Sequence, residues 1–178
     1  ARGRVALGPG LGRSPEAHAL VARLLERLEL PVVVDADALF GLEPTARAYP
    51  TVLTPHAGEL ARLLDSDSAW VDAHRLEAAR LGAERYGAVV LLKGAGSIVQ
   101  APTGGPVVCD AGPPSLATAG TGDVLTGVVA AFLAKGLDPV TAAAAAATAH
   151  GLAAAAEPHQ AGLVASDVVA GLPAVLSR

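Results

Sequence analysis

Short runs of Val and Leu alternate along this chain with longer stretches whose apolar residues recur every three or four positions. Val5 to Leu7 is the first run, and Val32-Val33-Val34, Thr51-Val52-Leu53 and Val89 to Leu92 repeat it. Unbroken apolar runs of this length predict strands covered on both faces, as in a parallel sheet. After the first run, Ser14-Pro15-Glu16 reads as a helix start, with Ser14 as N-cap and Pro15 in the first helical position. Leu20, Leu24, Leu25 and Leu28 would form that helix's buried face. Further helices are expected from about Gly58 to Leu64 and from about Trp70 to Tyr86, the second stopped by Gly87. Ile98 to Ala101 and Val107 to Cys109 flank Thr103-Gly104-Gly105 as a hairpin. Three helices then close the chain: Val124 to Ala134 behind a glycine turn, about Pro139 to Ala156, and Asp167 to Leu176 with Ser166 as its expected cap.

Strands alternating with helices predict one α/β domain over residues 1–178, built on a mainly parallel sheet. Ligands of such sheets lie beyond the carboxyl ends of the strands. The polar or glycine-rich segments beginning at Gly8, Asp35, Thr54 and Lys93 all follow strands directly, so they should converge on one edge of the sheet.

Composition narrows the picture. A net charge of −4 with 13 Lys plus Arg carries no strong electrostatic footprint for nucleic acid. Cys109 is the one cysteine, which excludes an internal disulfide and a paired-cysteine metal or redox site; in an apolar strand it reads as inert core, and the chain reads as cytoplasmic. Ala142 to Ala156 is mostly Ala, interrupted by Thr148, His150 and Gly151. It is short for a membrane span and reads as a helix buried in protein, with His150 packed in the core. Aromatic residues are scarce, so the core must come from Val, Leu and Ala, and its helices can approach one another closely.

Chemistry is concentrated in a few segments. Ala119-Gly120-Thr121-Gly122-Asp123 opens an apolar helix. The unpaired N–H groups and positive dipole end of that helix favour a phosphate, and Asp123 could take a proton from an attacking hydroxyl. The same residues would also serve as an ordinary glycine turn with Asp123 as a cap. In Lys93-Gly94-Ala95-Gly96-Ser97 the lysine could pair with phosphate and the glycines leave room for a nucleotide; a hairpin turn with a solvated Lys fits equally. In Thr54-Pro55-His56-Ala57-Gly58-Glu59, His56 and Glu59 can face one side of a helix start. That would give His56 a substrate contact and Glu59 a role near a phosphate-bound metal, through water. Of Asp35 and Asp37, one is expected to face the site and the other to cap the following helix. Gly8, Gly10 and Gly12 form a loop able to lie against a pyrophosphate.

Taken in order, Gly8-Pro9-Gly10-Leu11-Gly12, Val34-Asp35-Ala36-Asp37-Ala38-Leu39, Leu53-Thr54-Pro55-His56-Ala57-Gly58-Glu59-Leu60, Leu92-Lys93-Gly94-Ala95-Gly96-Ser97 and Ala117 to Gly127 resemble the ADP-dependent NAD(P)H-hydrate dehydratases. The resemblance covers nearly the whole chain and implies a three-layer α/β/α ribokinase-like fold. Where ribokinase-like kinases carry Asn in a Thr-Pro-Asn-x-x-Glu context, this chain has His56, as in the bacterial members that use ADP. The resemblance implies nucleotide contacts by Lys93, Gly94, Ala95, Gly96, Ser97, Gly120, Thr121 and Gly122. It implies contacts to the hydrated cofactor by Gly10, Gly12, His56 and Asp123. The implied reaction is ADP-dependent dehydration of (6S)-NADH or NADPH hydrate, releasing AMP and phosphate, with Mg2+ as cofactor, ATP as the alternative donor and Asp123 as base. Relatives carry further strands and helices ahead of the first glycine loop, so the domain reads as N-terminally incomplete. An NAD(P)H-hydrate epimerase domain is the implied partner on the same protein, and a homo-oligomer, such as a tetramer, the implied assembly. Two other readings remain: a ribokinase-like kinase of a small alcohol or vitamin precursor, and an inactive fragment or partner-binding subunit.

Overall fold

The computed structural model describes residues 3–177. Six strands lie in one sheet in sequence order: β1 (Val5–Leu7), β2 (Val32–Val34), β3 (Thr51–Leu53), β4 (Val89–Leu92), β5 (Ser97–Gln100) and β6 (Val107–Cys109). The first four run parallel, and β5 and β6 complete an antiparallel meander on β4. Alternate residues of the apolar runs serve opposite faces, as the two-residue strand period requires. Val32, Val34, Leu53, Val90 and Leu92 pack under α1 (Pro15–Arg27), α2 (Ala57–Leu63) and α4 (Arg75–Tyr86). Val33, Val52, Val89, Leu91 and Val99 pack under α5 (Thr121–Ala134) and α6 (Pro139–Ala155). Each Val or Leu buried to this degree contributes about 1.5–3 kcal/mol, so both faces of the sheet are needed. The result is the mainly parallel sheet expected from the strand runs, in the three-layer α/β/α arrangement that the resemblance implies.

The small-residue helix α6 lies buried as expected, started by Asp138, whose carboxylate accepts from the Thr141 amide at 3.1 Å, and by Pro139 behind it. Among the described residues no helix is long and apolar enough to cross a membrane.

Three local expectations are corrected. On α1 Leu25 is buried and Leu28 packs against the core as expected, but Val21 takes the place expected of Leu20, which is 39% exposed. The helix expected from Trp70 to Tyr86 is two, α3 (Ser68–Ala73) and α4, because His74 leaves the helical region at φ −128°, ψ 42°. Asp67 caps α3 through the Trp70 amide at 2.8 Å, a start signal overlooked in the periodic pattern. The last helix, α7 (Ala165–Leu176), begins before Ser166, so Ser166 is no cap; Asp167 instead reaches back to the Val164 amide at 2.9 Å.

Candidate active site

The four post-strand segments do meet at one sheet edge. Asp35 follows β2 and is 1% exposed. Its Oδ1 accepts from Lys93 Nζ and its Oδ2 from Thr126 Oγ1, both at 2.7 Å. Lys93, the first residue beyond β4, also stands 3.7 Å from Glu59 Oε2. Thr54 Oγ1 completes the group, 3.5 Å from Thr126 Oγ1 and 3.4 Å from the Val34 carbonyl. Buried polar groups are tolerated when partnered in this way. We call this cluster the polar floor.

His56 and Glu59 share one side of the start of α2, as their spacing predicts. The Gly58 amide donates to His56 Nδ1 at 3.0 Å, and the His56 amide donates to Glu59 Oε2 at 2.8 Å. This is a reciprocal capping box with an imidazole in the place usually held by Ser or Thr. With Nδ1 accepting, the ring proton belongs on Nε2, which lies 3.5 Å from Glu59 Oε1.

The first glycine loop rests on the floor from the other side. Gly8 adopts φ +135°, and a Cβ there would fall 1.6 Å from the Asp35 carbonyl oxygen, so only glycine fits. Asp37 does not cap the short 3₁₀ turn Ala36–Leu39 as expected. It accepts from the Gly12 amide at 3.0 Å and from Arg13 Nε at 2.8 Å, which fastens the loop. Arg13 first, and then the Gly12 amide, hold its carboxyl below the usual carboxylate range.

A cleft of about 610 Å³ opens beside the floor. One wall is the whole Lys93–Ser97 loop, the other the segment from Gly112 to Thr118, and its base includes Thr121, Gly122, Leu125, Ala147, His150 and Gly151. His56 borders it as well. No side chain caps α5; the Thr121 amide turns back to the Thr118 carbonyl at 3.4 Å, and the Gly122 and Asp123 amides remain for a ligand. Asp123 is exposed on that first turn and makes no cap bond to the helix, nor any other side-chain hydrogen bond among the described residues, so it is not the helix cap that its position also allowed. Gly10, Gly12, Glu59, Gly120 and Asp123 lie outside the cleft lining; Gly10 and Gly12 sit in the loop on the far side of the floor.

Four contributors escaped the sequence reading. Thr126 and the Asp35–Lys93 pair join elements 91 and 58 residues apart, and no local pattern announces them. Arg75 reaches under the Lys93–Ser97 loop, its Nη2 3.4 Å from the Leu92 and Gly96 carbonyls. A cation is disfavoured at the first position of a helix, which was a usable signal that Arg75 serves something else. His150 is buried as expected, but it also lines the cleft and donates from Nε2 to the Thr121 carbonyl at 2.9 Å. Burial pulls its pKa below the ordinary imidazole value, so the neutral donor form is favoured. Beside it, a Cβ on Gly151 would stand 2.7 Å from the Ala111 carbonyl carbon, so α6 touches the cleft wall backbone to backbone. Cys109 also borders the cleft, yet burial raises its thiol pKa, which suits the inert role expected of it.

The model of the NAD(P)H-hydrate dehydratase family matches residues 3–172. A bifunctional NAD(P)H-hydrate repair enzyme from Moorella thermoacetica is 45% identical over 180 residues, which span 97% of this chain and 34% of that protein. An ADP-dependent (S)-NAD(P)H-hydrate dehydratase from Xanthomonas campestris is 42% identical over 140 residues, 77% of this chain and 47% of that one. The solved ADP/ATP-dependent NAD(P)H-hydrate dehydratase of Bacillus subtilis, co-crystallised with ATP/Mg2+ and soaked with CoA, superposes with a TM-score of 0.92 at 32% identity, over 98% of this chain and 66% of that one. The chain thus spans about a third of the length of the bifunctional relative it matches.

Proposed function

The chain belongs to the NAD(P)H-hydrate dehydratase family, and we propose that it carries the dehydratase half of nicotinamide-cofactor repair, using ADP to return the S epimer of NADH or NADPH hydrate to the reduced cofactor. The observation that carries this reading is the shared cleft: Lys93 to Ser97 on one side and Thr121-Gly122 on the other converge with His56 beside an unpartnered Asp123.

In this reading the nucleotide lies in the cleft, its base against the apolar wall and its phosphates between Lys93 and the first turn of α5. Lys93 and the Gly120 to Gly122 amides stabilise charge on the phosphates. His56, whose Nε2–H stands 3.5 Å from Glu59 Oε1 and would be shared with the ligand, and the loop carrying Gly10 and Gly12 hold the hydrated cofactor. Asp123 accepts the proton of its ring hydroxyl as that oxygen takes the terminal phosphoryl group of ADP and AMP departs. Phosphate is a far better leaving group than hydroxide. The ring nitrogen lone pair expels it, and loss of the neighbouring ring proton restores the double bond.

Electrostatics call for a cation. The floor holds two carboxylates, Asp35 and Glu59, for one ammonium, Lys93, with Arg75 beneath the adjoining loop, so phosphates entering beside Lys93 also meet the Glu59 carboxylate. Among the described residues no group of three or more His, Cys, Asp or Glu could hold a metal, which suits Mg2+, an ion that keeps its waters and rides on the phosphates. Glu59 is the carboxylate that would hold it through water; when bound, it neutralises charge on the transferring phosphoryl group. A bifunctional relative supports an epimerase activity on the same protein, which would supply the S epimer.

The test is incubation with NADH hydrate, ADP and Mg2+. Return of the reduced-nicotinamide absorbance with equal amounts of AMP and phosphate is the expected outcome. A stable phosphorylated alcohol would assign the site to a kinase instead, and absence of nucleotide binding by calorimetry would make the chain a partner-binding piece.

A further inference from the structure

Asp35 and Thr126 stand behind the site and do not line the cleft; they are 1% and 2% exposed. The Asp35 carboxylate is divided between two elements that the ligand-facing side also uses. Oδ1 takes Lys93 at the end of β4, and Oδ2 takes Thr126 on the second turn of α5. The same two elements also come close in front, where a Cβ on Gly122 would lie 3.5 Å from Lys93 Nζ. Lys93 and the start of α5 are therefore neighbours on the ligand-facing side and are linked on the buried side through Asp35.

The buried point restrains rotation. On the sheet side α5 packs through Leu125, Val128, Val129, Phe132 and Leu133, and apolar contact is non-directional. No side chain caps the helix. The directional bonds of its first turn run to the cleft wall, from Thr121 Oγ1 to the Leu116 and Thr118 carbonyls and from His150 Nε2 to the Thr121 carbonyl. The bond at Thr126 instead ties the helix to the residue that follows β2. A hydroxyl–carboxylate bond of 2.7 Å is short, charge-assisted and directional. Thr126 also follows Asp123 by three residues, so the two share one side of the helix. A slip at Thr126 turns Asp123 with it.

We propose that Thr126, anchored by Asp35, is a positioning residue: it sets the rotation of α5 and so the placement of Asp123 relative to the phosphates held by Lys93. This rests on the reading of Asp123 as base. Thr126→Val keeps the shape and removes the donor; Thr126→Ser keeps the donor and loses a methyl. We expect Thr126→Val to lower kcat about 10- to 100-fold, the range for a misplacement near 1 Å, with little change in the KM for ADP. Thr126→Ser should recover most of that kcat. Thr126→Ala, which puts no methyl against Asp35, reads the same loss if the Val variant folds poorly. The decisive arm is the Asp123→Asn/Thr126→Val double variant, which should turn over no more slowly than Asp123→Asn alone. The Asp123→Asn single variant tests the base assignment by itself. Where its loss is present, a full additive loss in the double variant overturns the positioning role alone, as does a Ser variant no faster than Val at equal melting temperature.

Discussion

The polar floor and the open cleft lie side by side and are built on opposite principles. The floor, made of Asp35, Glu59, Lys93 and Thr126, is almost dry, and each of its charged groups already has a protein partner. Apart from Lys93, His56 and His150, the cleft is lined mostly by small and apolar residues such as Pro113, Leu116, Leu125 and Ala147, with no Phe, Tyr or Trp among the described residues that line it. A buried, partnered network holds geometry and resists rearrangement; an apolar space with a few placed polar groups accepts a ligand. In the proposed function the floor would decide where the reacting groups stand and the cleft what stays bound. Asp123, exposed and unpartnered, stands at the boundary.

The largest effect should come from that boundary. Asp123→Asn removes the proposed base and keeps the shape, and among the described residues no hydrogen bond depends on its side chain. We expect normal folding and binding of both ligands, with turnover down about 10²- to 10⁴-fold. Single-turnover kinetics with ADP and the hydrate check it. Near-normal turnover would move the chemistry elsewhere and leave Asp123 as a solvent-facing residue of the first turn.

Lys93 belongs to both regions, and the next prediction pulls them apart. Lys93→Met leaves the Asp35 carboxylate buried without its cation, which typically costs about 3–5 kcal/mol of stability. Adding Asp35→Asn removes that charge and keeps an acceptor for Thr126, so the double variant should regain most of the lost melting temperature. Its affinity for ADP should stay down about 10- to 100-fold, the worth of a hydrogen bond to a charged group, while binding of the hydrated cofactor changes less. Calorimetric titration of both ligands into both variants reads this. If ADP affinity returns together with stability, Lys93 serves the floor alone.

The floor and the cleft also differ in how far they could be read in advance. Strand positions were legible almost to the residue, because Val32-Val33-Val34 and Val89 to Leu92 are apolar on both faces and allow little else. The convergence of the loops on one edge followed from parallel topology, and the glycine loops and Lys93 to Ser97 followed from local composition. What stayed hidden was pairing at long range. Nothing around Thr126 distinguishes it from a helix-interior Thr, and only the fold brings it to Asp35. The break at His74 was missed because α3 and α4 keep similar periodicity, and only the Asp67 cap marks a second start. On α1 Leu20 was expected in the place that Val21 holds because four leucines outweighed one valine in the pattern, while Leu25 and Leu28 do face the core.

The smallest predicted effect lies on the cleft side, at His150. Burial depresses its pKa from the ordinary 6.5, against a smaller opposing contribution from its bond to the Thr121 carbonyl. The folded protein thus prefers neutral imidazole more than the unfolded chain does. As pH falls through about 6.5, the unfolded chain takes up the proton first, so this contribution to stability is complete above that pH and is lost progressively below it. The donor is not lost, because the imidazolium keeps its Nε2–H; what is lost is favourable burial. Acidification should therefore lower the melting temperature modestly while ADP affinity, per folded molecule, changes little. His150→Gln offers a neutral donor of similar reach and should flatten the fall. Melting curves of the two proteins across this range decide the matter. Parallel curves would mean that the acid sensitivity originates elsewhere and that the cleft owes nothing to a desolvated His150, whereas an equal loss of ADP affinity would show that this wall is as rigidly coupled to the phosphates as the floor.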